Sequence, residues 1–379
     1  MRPLGVLGGG QLARMLALRA SALGIPVAIL SESKADPAAQ VSSHWLKGSL
    51  KSQKDLTHFL RSCQVVTFES EFLDADLLAV LSKSTQTPIY PNPQHMALLQ
   101  DRWTQKNLLN EMRLLTSPFI RVDDIEDAQD AYLEFDGQLV FKKRRFGYDG
   151  NGTYVIKTVR AFEKFIATFE KLSGDAGLIA ERFVPFKREV AIMIGRSASG
   201  QTVALPFVES FQENSRCLWV SGPLDLSAKF KRLESRLIGF LNKIGYVGMM
   251  GVELFETESG ELIVNELAPR VHNSGHYSMD ALDEDQFGLH LKSVLGLPIE
   301  KPRLLAPGFA MYNLLGQTGR KPQWKLPADI KLHWYGKSEN RLGRKMGHFN
   351  VLATERKKNL PARTDALTRA KMARVDFKL

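Results

Sequence analysis

Residues 251–276 read Gly-Val-Glu-Leu-Phe-Glu-Thr-Glu-Ser-Gly-Glu-Leu-Ile-Val-Asn-Glu-Leu-Ala-Pro-Arg-Val-His-Asn-Ser-Gly-His. Two apolar runs, residues 249–255 and 262–267, flank a polar tip and predict an antiparallel strand pair. A two-residue turn at Ser259-Gly260 would set Glu253 directly opposite Glu266 on one face. Like charges so opposed repel across about 5 Å. A cation is therefore expected between them, and paired carboxylates completed by phosphate oxygens are a usual way to hold magnesium. The competing reading is two solvated carboxylates. Against it stands the stretch that follows, where Asn265, Glu266, Arg270, His272, Asn273 and His276 crowd amide, carboxylate, guanidinium and imidazole groups together. That density of mixed polar groups beside an apolar strand points to a site.

Upstream, residues 139–142 and 153–156 are two further strand candidates joined by a glycine-rich stretch with Gly147, Gly150 and Gly152. Such a hairpin tip can fold its amides over phosphates. The four consecutive cations at 142–145 would neutralise a polyphosphate. No Gly-Lys-Ser/Thr follows and no helix begins there, so this is not a P-loop; a plain exposed hairpin is the alternative. Strand candidates at 178–181 and 190–193 follow, and antiparallel pairs of this kind suggest α+β architecture for the middle of the chain.

The first ninety residues differ. Strands at 4–7, 27–30 and 65–68 alternate with helical pattern, as at 11–23, which predicts a small parallel sheet with helices on both faces. Gly8 to Ala13 satisfies G-x-G-x-x-A between a strand and a helix, with Glu32 near the distance of a ribose-binding acid. The motif requires only that backbone amides approach an anion or that the chain turn tightly. NAD is discounted because the rest of the chain supplies a separate ATP apparatus. Pro91-Asn92-Pro93 closes this unit, and Leu297-Pro298 and Ala306-Pro307-Gly308 mark a second boundary. Three domains are expected: 1–98, Rossmann-like; 99–300, with a flap over about 120–190; and 301–379.

The bulk numbers agree with an ordinary globular chain. Of its 379 residues 44% are hydrophobic and 24% charged, and no apolar run approaches bilayer length. The start at Met1-Arg2-Pro3-Leu4 leaves no room for a signal peptide. Cys63 and Cys217 have no paired spacing, so neither disulfide nor zinc site is indicated, and a reduced cytoplasmic setting fits. The net charge of +10 is concentrated at the end, where residues 301–379 hold 18 basic and 5 acidic side chains. Such a segment favours an anionic partner. It lacks the aromatic-interleaved pattern of a nucleic-acid binder.

These motifs together resemble the 5-(carboxyamino)imidazole ribonucleotide synthase family of ATP-grasp ligases. The likeness rests on residues 265–276, on Gly8-Gly9-Gly10-Gln11-Leu12, on Asp101 to Lys106, on the Gly147-Tyr148-Asp149-Gly150 flap, and on residues 333–337 and 343–348, all in family order. It implies an ATP-grasp fold with an N-terminal Rossmann-like preATP-grasp domain and a small C-terminal domain. It implies ATP and Mg2+ as cofactors, 5-aminoimidazole ribonucleotide and bicarbonate as substrates, and a homodimer, with neither nucleic acid nor membrane as partner. On this resemblance Arg102 and Lys142 contact phosphates, and Gly147, Tyr148, Asp149, Gly150, Asn151, Gly152 and Thr153 close over them. Glu181, Arg182, Phe183 and Val184 read adenine, Glu189 holds the ribose, and Gln212 and Asn265 stand beside the nucleotide. Glu253 and Glu266 bind magnesium, and Arg270, His272 and Asn273 hold bicarbonate. The ribonucleotide rests on Gln11, Leu12, Glu69, Glu71, Tyr148 and Asp149, with Lys337, Arg344 and Lys345 at its phosphate. Three positions depart from the family pattern. Asn151 stands for a flap arginine and Gln212 for a histidine, while Asp283-Glu284-Asp285 replaces small hydroxyl residues. Rival readings are another ATP-grasp ligase activating a different carboxylate such as formate, and an inactive nucleotide-binding paralogue.

Overall fold

Leu4, Val6 and Leu7 are all fully buried, so the first strand is covered on both faces, as a parallel sheet flanked by helices requires. The computed structural model describes residues 2–147, 150–174, 176–213, 215–317, 327, 329–354 and 360–376. In it β1 (Leu4–Leu7), β2 (Val27–Ser31), β3 (His44–Lys47) and β4 (Val65–Phe68) form a parallel sheet in the order β3-β2-β1-β4. The β3 strand was not expected. It lies at the sheet edge with His44 and Lys47 exposed, so it carries too little apolar signal to read.

A second, antiparallel sheet holds β5 (Phe119–Val122), β6 (Leu139–Lys143), β7 (Thr153–Ile156) and β8 (Leu178–Arg182), in the order β5-β8-β6-β7. The predicted hairpin is β6 and β7, with Leu139 opposite Ile156 and Lys142 opposite Thr153. Its apolar side packs on the helices Ile125–Glu134 and Val159–Ile166 through Phe141, Phe165 and Ala131.

The third sheet is the largest. It contains β9 (Arg188–Arg196), β10 (Thr202–Ala204), β11 (Val208–Glu213), β12 (Arg216–Gly222), β13 (Gly248–Glu256), β14 (Leu262–Ala268), β15 (Phe309–Leu315), β16 (Lys331–Trp334) and β17 (Lys345–Leu352). The order is β14-β13-β9-β11-β12-β15-β17-β16, with β10 beside β9. Residues 178–182 and 188–196 are therefore not partners, since they belong to different sheets. Nor do the C-terminal strands form a sheet of their own. Pairing of β12 with β15 extends the central one and covers what would otherwise be an open edge.

Alternation along these strands separates core from cleft. Val190, Ile192, Val252 and Leu254 pack against Phe230, Leu233, Leu237 and Phe240 of the helix Ala228–Ile244. Glu189 and Glu253 face the other way. The hairpin tip between β13 and β14 differs from the expected two-residue turn. Residues 257–261 form a loop in which Thr257 N–H donates to Glu261 O at 3.0 Å. From there Glu256 pairs with Leu262 and Leu254 with Val264, a register that would set Glu253 opposite Asn265. A β-bulge shifts the ladder between Glu253 and Leu254 and restores Glu253 opposite Glu266. The expected carboxylate pair is present because one irregularity offsets the other.

The helix Gln286–Val294 fastens the first sheet to the third. Buried His290 accepts the Met249 N–H on Nδ1 at 3.1 Å, so its proton sits on Nε2, 2.7 Å from Thr67 Oγ1. Burial lowers this imidazole from 6.5 to about 4. Between those values the unfolded chain takes a proton that the folded chain refuses, so stability should fall as pH drops through that window. Thermal unfolding followed from pH 7 to 4 should show a declining Tm, with a shallower decline in His290→Asn. Equal slopes would remove His290 from the account.

Candidate active site

The three sheets enclose a cleft of about 1090 Å³. Its floor is the bulged edge of the central sheet. The bulge at Asn265 turns that side chain toward the second sheet, where Asn265 Oδ1 accepts from Lys142 Nζ at 3.0 Å. Loss of hydration, with Glu266 next, pushes Glu253 up to about 7. Loss of hydration and then the Glu253 charge push Glu189 up to about 8.

Across the cleft the cations are held by carboxylates. Lys142 Nζ lies 3.0 Å from Glu181 Oε1, and Lys106 Nζ lies 3.1 Å from Glu181 Oε2. Burial opposes ionisation of Glu181, but Lys142 and Lys106 outweigh it and hold the carboxyl down to about 2. Burial takes the Lys106 ammonium the other way, to about 8, against the pull of Glu181. Arg102 reaches Glu266 Oε2 at 3.1 Å and donates to Lys143 O at 3.0 Å, tying that carboxylate to the base of the β6–β7 hairpin. The preceding residue, Asp101, caps the helix Arg102–Glu111 and accepts from Arg144 Nη2 at 2.6 Å.

In the stretch 181–184 the amides of Arg182 and Phe183 donate to Pro118 O and Gln138 O at 2.9 and 2.8 Å. Among the described hydrogen bonds the Val184 amide makes none, which leaves it for a ligand edge. The Arg182 guanidinium turns away to Asp136 and the Phe135 ring. The surrounding cleft wall is apolar, with Val140, Val155, Phe186 and Phe255.

The glycine-rich start binds an anion, and that anion belongs to the chain itself. Glu69 Oε1 accepts the Gly10 N–H at 2.5 Å and Oε2 accepts the Ala13 N–H at 3.2 Å, so a carboxylate occupies the helix N-terminus. A β-carbon at Gly8 or Gly10 would lie within 2.6–2.7 Å of the Glu69 side chain. The glycines thus make room for Glu69 where a dinucleotide would need its pyrophosphate. Glu32 is not on the cleft and accepts from Ser49 Oγ. Beside Glu69, Glu71 forms a two-point pair with Arg270, including Arg270 Nη2 to Oε1 at 2.9 Å.

Arg270 opens the loop 270–276. His272 is seated by Gln286, whose Oε1 accepts the His272 N–H and whose Nε2 donates to His272 O, both at 2.9 Å. Burial, with Arg270 and Lys345 adding to it, holds His272 well below the usual imidazole range, so it is neutral. Ser274 N–H approaches its Nδ1 at 3.4 Å, which places the proton on Nε2, 3.7 Å from Glu253 Oε1. From the far side come Lys337, Arg344 and Lys345, together with Arg216 and Arg341, which the sequence did not single out. Gln40 Nε2 donates to Gly336 O at 2.7 Å and joins this basic arm to the first sheet.

Every described residue expected at the site lines this cleft except Gly152. Its carbonyl instead accepts the Lys143 N–H at 2.8 Å and closes the hairpin. Tyr148 and Asp149 lie outside the described residues. The acidic run that departs from the family pattern has a structural use. Asp283 pairs with Arg303, Glu284 with Arg19 and Lys292, and Asp285 caps the helix Gln286–Val294.

Among the described residues no group of three or more His, Cys, Asp or Glu side chains could hold a metal ion alone. The opposed Glu253 and Glu266 fit a divalent cation that takes its remaining ligands from phosphate oxygens.

The comparisons with known proteins agree with this geometry. The ribonucleotide synthetase preATP-grasp domain family matches residues 1–100 and the ATP-grasp domain family residues 107–287. The phosphoribosylaminoimidazole carboxylase C-terminal domain family matches residues 310–360. The chain is 35% identical over 357 residues to the N5-carboxyaminoimidazole ribonucleotide synthase of Synechococcus elongatus, covering 92% of this chain and 89% of that one. The chain belongs to the N5-carboxyaminoimidazole ribonucleotide synthase family. Its fold is accordingly ATP-grasp, with the preATP-grasp sheet at the start and the family's C-terminal strands added to the central sheet. The Staphylococcus aureus N5-carboxyaminoimidazole synthetase complexed with ADP superposes with TM-score 0.88 at 29% identity, over 98% of this chain and 96% of that one. The Aspergillus clavatus synthase, solved with ADP and 5-aminoimidazole ribonucleotide, gives TM-score 0.84 at 26% identity, over 99% and 98%. Several longer relatives, named phosphoribosylaminoimidazole carboxylase, are spanned over 64% to 66% of their length.

Within this family member the supports of the cleft were the least visible in sequence. Lys106, Gln286 and Asn313 are almost fully buried, and nothing in a polar residue's local pattern separates a buried anchor from a solvated one.

Raised carboxyl groups make the metal-free protein sensitive to base. The folded chain holds protons on Glu253 and Glu189 that the unfolded chain releases near 4.5, so their contribution is lost as pH rises through about 7 and about 8. In EDTA, Tm should fall between pH 5 and 8.5, and Glu253→Gln or Glu189→Gln should raise Tm at pH 8.5 but not at pH 5. Variants that melt with the wild type at pH 8.5 would show that the carboxylates carry no such strain.

Proposed function

We propose that this protein uses ATP and bicarbonate to carboxylate 5-aminoimidazole ribonucleotide to N5-carboxyaminoimidazole ribonucleotide, a step of purine biosynthesis. The carrying observation is the opposition of Glu253 and Glu266 beside the Arg270–Asn273 loop, with Lys142 and Arg102 facing them across one cleft. Support comes also from the Aspergillus clavatus relative, whose structure holds ADP and this ribonucleotide.

In this reading adenine lies along residues 181–184 and Glu189 takes the ribose. Lys142 and Arg102 neutralise the phosphates, and the 147–153 hairpin covers them. Magnesium, bound by Glu253 and Glu266, would neutralise charge on the phosphate oxygens. A bicarbonate oxygen attacks the γ-phosphorus, the bond to ADP breaks, and carboxyphosphate forms. The amine nitrogen of the ribonucleotide then attacks the carboxyl carbon as phosphate leaves and the nitrogen gives up a proton. Arg270 offsets the charge of the carboxyl oxygens, and neutral His272 offers the N–H at Nε2 as a donor. The ribonucleotide ring lies over Gln11, Leu12, Glu69 and Glu71, with Tyr148 and Asp149 of the flap, and its phosphate meets Lys337, Arg344 and Lys345. Excluding water preserves the mixed anhydride, which gives the covering hairpin its purpose. The three domains proposed are 1–98, 99–300 and 301–379, assembled as a homodimer working in the cytoplasm. No helix among the described residues is long and apolar enough to cross a membrane.

ADP release at fixed bicarbonate and magnesium should rise on adding the ribonucleotide, with labelled bicarbonate entering product. Glu266→Gln should lower that rate by about 100-fold or more. If the ribonucleotide neither binds nor changes the ADP rate, the substrate assignment fails.

A further inference from the structure

Gln286, the first residue of the helix Gln286–Val294, is fully buried behind the cleft wall and holds the loop 270–276 at two places. Its Oε1 accepts the His272 N–H and its Nε2 donates to His272 O, each at 2.9 Å. One backbone donor and one backbone acceptor thus fix the amide, because turning it over would set N–H against N–H and oxygen against oxygen. The second hydrogen on Nε2 goes to His276 Nδ1 at 2.8 Å. An amide nitrogen cannot accept, so His276 Nδ1 is the acceptor and carries no proton. The ring then keeps its proton on Nε2, since the bond made by one ring nitrogen sets the state of the other.

A doubly protonated ring would turn an Nδ1–H against the Gln286 amide hydrogen, so this geometry also keeps His276 neutral. Burial acts in the same direction, with Lys345, His333 and Arg270 adding to it, and holds the imidazole well below its usual range. The ring is only 1% exposed, lies on the His348 ring with centroids 4.9 Å apart, and lines the cleft. Its backbone is spent inside the fold, where the N–H donates to Asn273 O at 3.1 Å and the carbonyl accepts from Asn350 Nδ2 at 3.2 Å. The Nε2–H is the polar group left over, and among the described hydrogen bonds it has no partner. A buried donor without a partner costs stability that a ligand would restore. Arg270 and Lys345 make the surroundings positive, so the fitting ligand atom is an anionic oxygen.

We infer that His276 is a further binding residue of this cleft, fixed by Gln286 as an Nε2–H donor to an anionic oxygen of a substrate. Gln286 is its positioning residue. Two substrate groups carry such an oxygen, the carboxyl group of bicarbonate beside Arg270 and the phosphate of the ribonucleotide beside Lys345. The inference rests on the proposed binding of both in this cleft.

The test uses the full chain with ATP and magnesium, reading ADP release against bicarbonate and, separately, against the ribonucleotide. His276→Asn keeps an acceptor for Gln286 Nε2 at the place of Nδ1 and removes only the donor toward the cleft. It should raise the KM of the substrate it meets about tenfold, while ADP affinity stays at the wild-type value. A rise for bicarbonate identifies the carboxyl oxygen as the ligand, and a rise for the ribonucleotide identifies the phosphate. His276→Gln places an N–H near the position of Nε2 and should recover most of the loss. If the asparagine variant does not fold, His276→Phe keeps the ring on His348 without either nitrogen and should raise the same KM. In wild-type protein labelled with 15N at histidine, the signal missing from the variant should show a neutral ring protonated on Nε2. Unchanged KM values for both substrates in a variant that binds ADP normally overturn the inference, as does a proton on Nδ1. Wild-type protein that releases no ADP with bicarbonate and ribonucleotide overturns instead the reading beneath it.

Discussion

The Glu181 carboxylate is buried between two ammonium groups, Lys106 and Lys142, each within about an ordinary hydrogen-bond distance, with Ser117 Oγ donating at 2.8 Å. An isolated charge at this depth would be too costly to keep, and removing one partner would leave the others uncompensated. The three charged groups come from β8, from β6 and from the helix Arg102–Glu111, so they fix these elements relative to one another. Lys142 also reaches Asn265, and Thr116, which accepts from Lys106, donates to Val264 O at 2.8 Å. The second sheet is thereby set against the bulged edge of the central one. The spacing of Lys142 and Arg102 from Glu253 and Glu266 follows from that junction.

The same principle orders the rest of the cleft. Glu69 is satisfied by backbone amides at a helix start, Glu71 by Arg270, and Glu266 by Arg102. Burial pushes Glu69 upward despite those amides, and Glu189 and Glu253, which lack such partners close by, rise to about 8 and about 7. Carboxyl groups that resist ionisation are thus concentrated where a cation and a ribose are proposed to bind. Cations gather on the opposite arm, around Lys337 and Lys345, where the anionic ester is proposed to rest. A site in this state stores electrostatic cost that its ligands would relieve, a common compromise between stability and activity.

The loop 270–276 shows a further layer. Within it His272 Nδ1 meets Ser274 Oγ at 2.9 Å, but its polar groups otherwise depend on residues outside. They are held by Gln286 from a helix, Asn313 from a strand added late in the chain, and Glu71 from the first sheet. Three separate regions of sequence thus orient one short motif, and its chemistry depends on the completed fold rather than on the motif alone.

Sequence by itself determined the elements whose signal is local. The strands at 4–7, 65–68, 139–143 and 248–256 follow from runs and alternation of apolar side chains. The motif residues could be named because backbone amides, carboxylates and guanidinium groups at those spacings suit phosphate and metal chemistry. What only the tertiary structure decided is whatever depends on partners distant in the chain. It decided that Glu69 fills the glycine-rich turn, that β12 pairs with β15, and that a bulge at Asn265 corrects the hairpin register. It also decided that Lys106, Gln286 and Asn313 are buried supports. A polar residue reads the same in sequence whether it faces water or a buried charge, because burial is set by the neighbours that folding brings to it.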